Sequence, residues 1–352
     1  MRKILIGILM VSLLVSVSNA QFLIGARAAG MGGAGVAASR DQSAAYYNPA
    51  ALMQTGKAGF MASLGAAYSG LDKIMNAASS ASDPAKFVTD NYASKIDLGT
   101  SIYGVLGGSI NKVGLTVLPA LSLTMSKQAA SLAAVGRAGL GYQGIATLGY
   151  SFGLPVVVLD LGANLKYIGG NAGEISFNGL TGNQDIKSMT GFGFDVGTLL
   201  TFDIPAVTSL SVGLVARDLG ETITTSTKRS ALTPGAGNTI TVGPEQDLGS
   251  TSATTDSSYV LGVAGKIPVV GILAALDYET VKNVNTTHLG IEYPLLANFL
   301  VLRAGVASGT ATSLTTFGAK IGIPFLTLNA ALVMDGKNTN NNLIVLDFLG
   351  GV

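Results

Sequence analysis

The chain has 352 residues, of which 48% are hydrophobic and 12% charged; it contains 47 glycines, no cysteine and no tryptophan. A soluble domain carries about twice that charge. The apolar content excludes disorder, the lack of a three-residue glycine period excludes collagen, and the absence of cysteine removes disulfide frameworks and thiolate sites. With 21 basic residues against 20 acidic ones there is no electrostatic footprint for nucleic acid.

Arg2 and Lys3 precede an apolar stretch from Ile4 to Val17, and Ser18, Asn19 and Ala20 offer a small-residue cleavage site before Gln21. Residues 1–20 therefore read as a secretory signal peptide. Removing Arg2 and Lys3 from the 21 basic residues leaves 19 against 20 acidic ones, a net charge of about −1. A glycine-rich block follows, from Gly25 through Arg27, Gly30, Gly32, Gly33 and Gly35 to Ala37, and then a run from Asp41 through Asn48, Pro49 and Ala50 to Leu52. Glycines permit close backbone approach and positive φ, so residues 21–55 can pack as a compact coil where bulkier residues would not fit.

Gly33-Ala34-Gly35-Val36-Ala37-Ala38 matches a relaxed dinucleotide fingerprint, but no strand-helix-strand context surrounds it and no acidic residue lies about twenty positions on. No Gly-Lys-Ser/Thr phosphate loop is present.

From residue 56 onward no apolar run is long enough for a membrane helix; the sequence alternates in twos instead. In hydrocarbon every backbone donor and acceptor must be satisfied internally, so only helices and closed barrels can span. The expected fold is all-β, an antiparallel transmembrane barrel over residues 56–352. Turn residues divide it into about fourteen strands, near 57–68, 99–110, 112–124, 137–150, 156–168, 190–202, 209–217, 258–266, 269–280, 286–293, 299–307, 314–322, 325–334 and 343–349.

The first, third, fifth and seventh gaps are long, and the second, fourth, sixth and eighth are tight, with Ile267-Pro268 and Ile323-Pro324 as two-residue turns. Short turns on one rim and long loops on the other are the pattern of outer-membrane barrels. Within residues 69–96, Asp83-Pro84-Ala85 predicts a short helix. Leu71, Ile74, Met75, Phe87 and Val88 would give residues 71–92 an apolar landing surface. Residues 218–257, rich in Thr, Ser and Gly, read as a mobile loop.

A barrel in lipid turns its apolar face outward. Asp160, Lys166, Asp195, Arg217, Asp277, Glu279, Glu292, Arg303 and Lys320 should then line the lumen, since Arg or Lys at midplane on the lipid side costs about 2 to 4 kcal/mol. Tyr167, Phe192, Phe202, Tyr293 and Phe317 fall near the expected strand ends on the apolar face, as interfacial anchors do. His288, the only histidine, lacks a nucleophilic or metal-binding constellation and reads as a lumen or rim polar residue. Neither an enzyme nor a cofactor is expected.

The Gly-Ala-Arg-Ala-Ala-Gly-Met-Gly-Gly-Ala opening at residues 25–34, the Asp41 to Ser43 stretch and Tyr47-Asn48-Pro49-Ala50 resemble the amino-terminal hatch of the FadL/TodX family of outer-membrane transporters, with its PorV and PorQ relatives. Leu161 to Tyr167, Leu210 to Gly220, Leu289 to Tyr293 and Leu302 to Gly305 are similar to strand phrases of these relatives. The resemblance implies a fourteen-stranded barrel plugged by its amino terminus, passive uptake of long-chain fatty acids or hydrocarbons, and contact with outer-membrane lipid. Arg27, Gly30, Gly32, Gly33, Asp41, Asn48, Pro49 and Ala50 would form the gating hatch. The alternative is a PorV-like or TraF-like barrel that serves protein partners in secretion or conjugation.

Overall fold

The computed structural model describes residues 23–69, 96–127, 133–178, 181–204, 208–234, 240–267, 270–296, 299–323, 325–337 and 342–351. The expected signal peptide and the helix and landing surface between residues 69 and 96 lie outside them.

Alternating sequence becomes alternating burial. In β5 (Val157–Asn178) Leu161, Leu165 and Tyr167 are exposed, while Asp160, Asn164 and Lys166 are buried. The remaining strands are β1 (Ala58–Ser69), β2 (Ile96–Ile110), β3 (Val113–Lys127), β4 (Ala134–Gly153), β6 (Thr181–Ile204), β7 (Thr208–Pro234), β8 (Ile240–Val242), β9 (Gln246–Thr254), β10 (Ser258–Lys266), β11 (Leu273–Val281), β12 (Val284–Leu295), β13 (Leu300–Gly309), β14 (Ser313–Ile323), β15 (Leu326–Asp335) and β16 (Asn342–Gly351).

Sequential neighbours pair antiparallel, β1 pairs with β16, and β7 pairs with β10. These contacts close β1 to β7 and β10 to β16 into a ring of fourteen strands with no free edge, the number read from the alternation. The inverted polarity, with Phe60, Leu106, Leu115, Leu148, Phe194 and Phe348 among many large exposed apolar side chains, is that of a barrel whose solvent is hydrocarbon. No described helix is long and apolar enough to cross a membrane.

Several expectations need correction. Residues 169–189 are not a loop: β5 and β6 continue past the apolar belt, leaving only residues 179–180 between them. Residues 218–257 are largely strand as well, because β7 runs to Pro234 and both β8 and β9 pair with its distal half. Above the apolar belt both faces of a strand are polar, so the period-two signal disappears although the backbone ladder continues. Side chains brace this extension: Arg229 makes a two-pronged ion pair with Asp185 at 2.6 and 2.7 Å, and Arg137 meets Glu174 at 3.0 Å.

The Ile267-Pro268 connection extends over residues 267–272, where Ile267 N–H donates to the Ile272 carbonyl at 2.8 Å. Ile323, expected in a turn, is the last residue of β14; β15 begins at Leu326, and Phe325 before it has φ 66°. Tyr167 and Phe192 sit inside lengthened strands and Phe317 sits within β14; only Phe202 and Tyr293 are close to strand ends. Tyr167 and Phe192 nevertheless stack, with centroids 5.1 Å apart, and Tyr142 adds a third ring 6.0 Å from Tyr167.

Candidate functional site

A chain segment with little regular structure has few internal backbone partners, so burying it demands partners from outside. Residues 23–54 are such a segment. They contain only α1 (Ala26–Gly30), α2 (Ala44–Tyr47) and a 3-10 turn (Pro49–Gln54), yet Ala26, Ala29, Ala34, Ala37, Ala44, Ala45, Asn48, Ala50 and Ala51 are fully buried. Their partners are the inward-facing side chains of the wall.

Asn48 is the most heavily engaged. Its Nδ2 donates to the Val36 carbonyl at 3.1 Å and to the Thr198 carbonyl of β6 at 3.0 Å, while its Oδ1 accepts from Ala50 N–H at 3.0 Å and caps the 3-10 turn. Pro49 occupies the first position of that turn, where a missing N–H costs nothing. Asp277 accepts from Gly35 N–H at 2.8 Å and Val36 N–H at 2.9 Å. Gly32 donates to Thr316 Oγ1 at 2.9 Å, and its carbonyl faces His288 Nδ1 at 2.8 Å. Asp347 accepts from Ala26 N–H, Asn164 donates to the Ala45 carbonyl at 2.7 Å, and Tyr103 donates to the Leu23 carbonyl at 3.0 Å.

The charged residues form three groups. Glu292 lies between Arg27, at 3.0 Å, and Arg303, at 2.8 Å, and Arg303 also donates to Asn329 at 2.9 Å. Lys166 faces Asp195 at 2.8 Å, Glu221 at 3.2 Å and Asp218. Arg217 pairs with Glu279, which also faces His288 Nε2 at 3.4 Å, and the Arg217 guanidinium lies over the Tyr46 ring. Asp160 accepts from Gln54. Asp41 bonds to Ser43 rather than to a wall cation, and Lys320 makes no ion pair among the described residues.

Electrostatics separates two arginines of the segment. Burial alone would lower Arg27, but the Glu292 and Asp41 carboxylates outweigh it and hold the guanidinium above its ordinary value. On Arg40, burial and the nearby Arg27 charge outweigh the Asp160 carboxylate and push it down to about 10.

The wall meets the segment through glycines that composition alone did not single out. A Cβ on Gly197 would stand 2.1 Å from Asn48 Oδ1, one on Gly162 would stand 2.3 Å from Ala50 N, and one on Gly305 would stand 2.2 Å from the Met31 carbonyl carbon. Each shares the inward face with a charged neighbour two residues away (Asp160-x-Gly162, Asp195-x-Gly197, Arg303-x-Gly305), a signal that could have found them. Gly32 and Gly33 adopt φ 68° and 88°, which other residues rarely tolerate. The candidate lumen residues and the amino-terminal residues thus meet in one interior, where a Cβ on Gly30 would stand 3.0 Å from Gly318 Cα. Glu221, Thr316 and Asp347 join it without having been anticipated.

No known family profile and no curated protein matches the sequence. Among solved structures, the Pseudomonas putida toluene transporter TodX aligns with a TM-score of 0.61 at 12% identity, over 93% of this chain and 98% of its own. The Ralstonia pickettii toluene transporter TbuX gives 0.57 at 13% identity, over 93% and 98%, and the monoaromatic hydrocarbon channel CymD 0.53 at 14%, over 94% and 97%. The chain has the fold of the FadL/TodX-type channels.

Proposed function

We propose that this protein is an outer-membrane channel for passive uptake of hydrophobic small molecules, hydrocarbons or fatty acids, exported by its signal peptide, and that residues 21–55 are its hatch. The observation that carries this reading is the mode of attachment. The segment is held inside a closed ring by hydrogen bonds and two-sided ion pairs, with no covalent link to the wall beyond the chain itself, and glycine faces let it sit flush. Such contacts break individually at about 0.5 to 1.5 kcal/mol each, so release of part of the segment needs no unfolding of the barrel. Likeness to toluene and monoaromatic hydrocarbon channels over nearly the whole chain supports the same reading.

On this reading the inward carboxylates and Asn48 serve as backbone partners for the hatch, and the paired charges keep the lumen from being a simple ion conduit. A diffusing ligand needs neither a nucleophile nor a cofactor.

The test is uptake of toluene and of a long-chain fatty acid by cells carrying the intact protein, a deletion of residues 21–55, or no barrel. Uptake by the intact protein above the barrel-free level, altered by the deletion, is expected. Uptake equal in all three would remove the transport reading and favour service to protein partners.

A further inference from the structure

The outer face of the barrel is not evenly covered. On β1, β2 and β3 the ladder places Phe60 opposite Gly108 and Gly108 opposite Leu115. One row of the lipid-facing surface therefore runs Phe60, Gly108, Leu115, and the absent side chain in the middle leaves a furrow between two large ones. Ile110 and Val113 carry it toward the short-turn rim, where Phe325 of the β14–β15 connection also lines it. The resulting groove holds about 740 Å³, and Ser109 is the only polar residue among the described residues that line it. Phe325 is 81% exposed and is the most exposed large apolar side chain among the described residues.

The rim end of this groove is cationic. Ala58, Ile110 and Val113 pair side by side as the last row of the ladder, and Lys57 and Lys112 stand one residue beyond it, on the β1 and β3 sides. The Asn111 N–H donates to the Lys57 carbonyl at 2.7 Å and ties the two backbones together. Two strand spacings of about 5 Å separate the positions of the two lysines, a gap that flexible four-carbon stems close around one phosphate. The Lys112 ammonium lies 4.0 Å from the centre of the Tyr150 ring, an exposed side chain of β4, which sets this charge on the outer face. Neither lysine forms an ion pair among the described residues. The connections at this end, residues 53–58, 110–113, 152–157 and 323–326, contain no Asp or Glu. Hydrocarbon of any lipid can fill an apolar furrow, but cations at the headgroup layer select an anionic one.

We infer that this groove is a binding site for an anionic phospholipid, with an acyl chain lying over Gly108 between Phe60 and Leu115 and the phosphate between Lys57 and Lys112. The site lies on the outside of the ring and depends neither on the hatch nor on transport. It fixes the short-turn rim at the headgroup layer.

Native mass spectrometry of the purified full-length barrel, titrated with phosphatidylglycerol, with phosphatidylcholine of the same chains and with glycerol phosphate, tests this, using variants whose gel mobility remains heat-dependent. Phosphatidylglycerol should be retained saturably and more tightly than phosphatidylcholine. The double variant K57M/K112M should weaken phosphatidylglycerol about thirtyfold, equivalent to about 2 kcal/mol for two lysines, and K337M on the opposite rim should behave as wild type. A Cβ on Gly108 meets nothing nearer than the Gly59 carbonyl at 3.7 Å, so G108L should fill the furrow without disturbing the wall and weaken both lipids. Equal affinities for the two lipids, or phosphatidylglycerol binding unchanged in K57M/K112M or in G108L, would overturn the proposal. Glycerol phosphate displacing phosphatidylglycerol at equal concentration would overturn its acyl-chain part. A lipid-free mass of two barrels that G108L converts to one would assign the groove to a second copy of the chain and likewise overturn it.

Discussion

Asn48→Ala removes three hydrogen bonds at once: Nδ2 to the Val36 carbonyl, Nδ2 to the Thr198 carbonyl and Oδ1 to Ala50 N–H. Within a fully buried site, each lost bond costs about 0.5 to 1.5 kcal/mol, and a polar group left unsatisfied adds to that. The Thr198 bond alone ties the segment directly to the wall, while the other two hold its internal shape. We therefore expect docking of residues 36–52 to weaken by about 2 to 4 kcal/mol, a shift of roughly 30- to 700-fold in the released population at about 1.4 kcal/mol per tenfold. The assay is limited proteolysis of the purified barrel, with heat-dependent gel mobility recording that the ring itself stays closed. Cleavage within residues 36–52 should accelerate by that factor with barrel mobility unchanged. Cleavage at the wild-type rate in a closed barrel would refute the claim that Asn48 is the main pin.

Three further outcomes follow from the geometry. Gly305→Val should dislodge Met31 and Gly32, because a Cβ there would stand 2.2 Å from Met31 backbone, whereas Gly153→Val, with nothing within 4 Å, should be silent; equal proteolysis of the two would contradict the flush-packing argument. Glu292→Gln leaves Arg27 and Arg303 facing each other, and the heat-induced mobility transition should move down by the equivalent of about 2 to 3 kcal/mol, less than for a fully buried pair because Glu292 keeps 18% exposure. Asp185, held below the ordinary carboxylate range first by its hydrogen bond from Arg229, stabilises the projecting β5–β6 hairpin above the usual Asp value near about 4. That contribution is lost as pH falls through the depressed value. Pepsin should accordingly cut wild type more slowly than Asp185→Asn near pH 4.5, with the difference shrinking as pH falls further, and a constant ratio would exclude the linkage.

How much of this was legible beforehand depends on the solvent each face meets. Strand number and the inward placement of Asp160, Lys166, Asp195 and Arg303 followed from alternation, because hydrocarbon on one side and a polar interior on the other enforce period two. The extensions of β5, β6 and β7 were hidden for the converse reason: residues such as Asn171, Ser188, Thr224 and Ser252 are polar where the strands carry no apolar face, and they pair across strands, Ser188 with Asn171 and Thr224 with Ser252 at 2.9 Å each, leaving no period-two signal in the sequence. In the interior, the glycine-rich block announced close packing but not its direction. Gly162, Gly197 and Gly305 belong to strands far away in sequence, and only three-dimensional closure brings them against Asn48, Pro49 and Met31. Asp347 was passed over because it is a single carboxylate in an otherwise apolar terminal strand, though its inward register marks it as a partner for Ala26.

The account stands or falls on whether the amino-terminal segment must move for a ligand to pass. Because the chain has no cysteine, the pair Asn48→Cys and Gly197→Cys can be joined without competitors; a Cβ on Gly197 lies 3.1 Å from Asn48 Cγ, where the partner sulfur would stand, a separation a disulfide accepts. Toluene uptake by cells carrying the oxidised pair should fall to the barrel-free level and return, at or above the wild-type rate, when the disulfide is reduced. Uptake that is the same with the bond formed and with it broken would contradict the account.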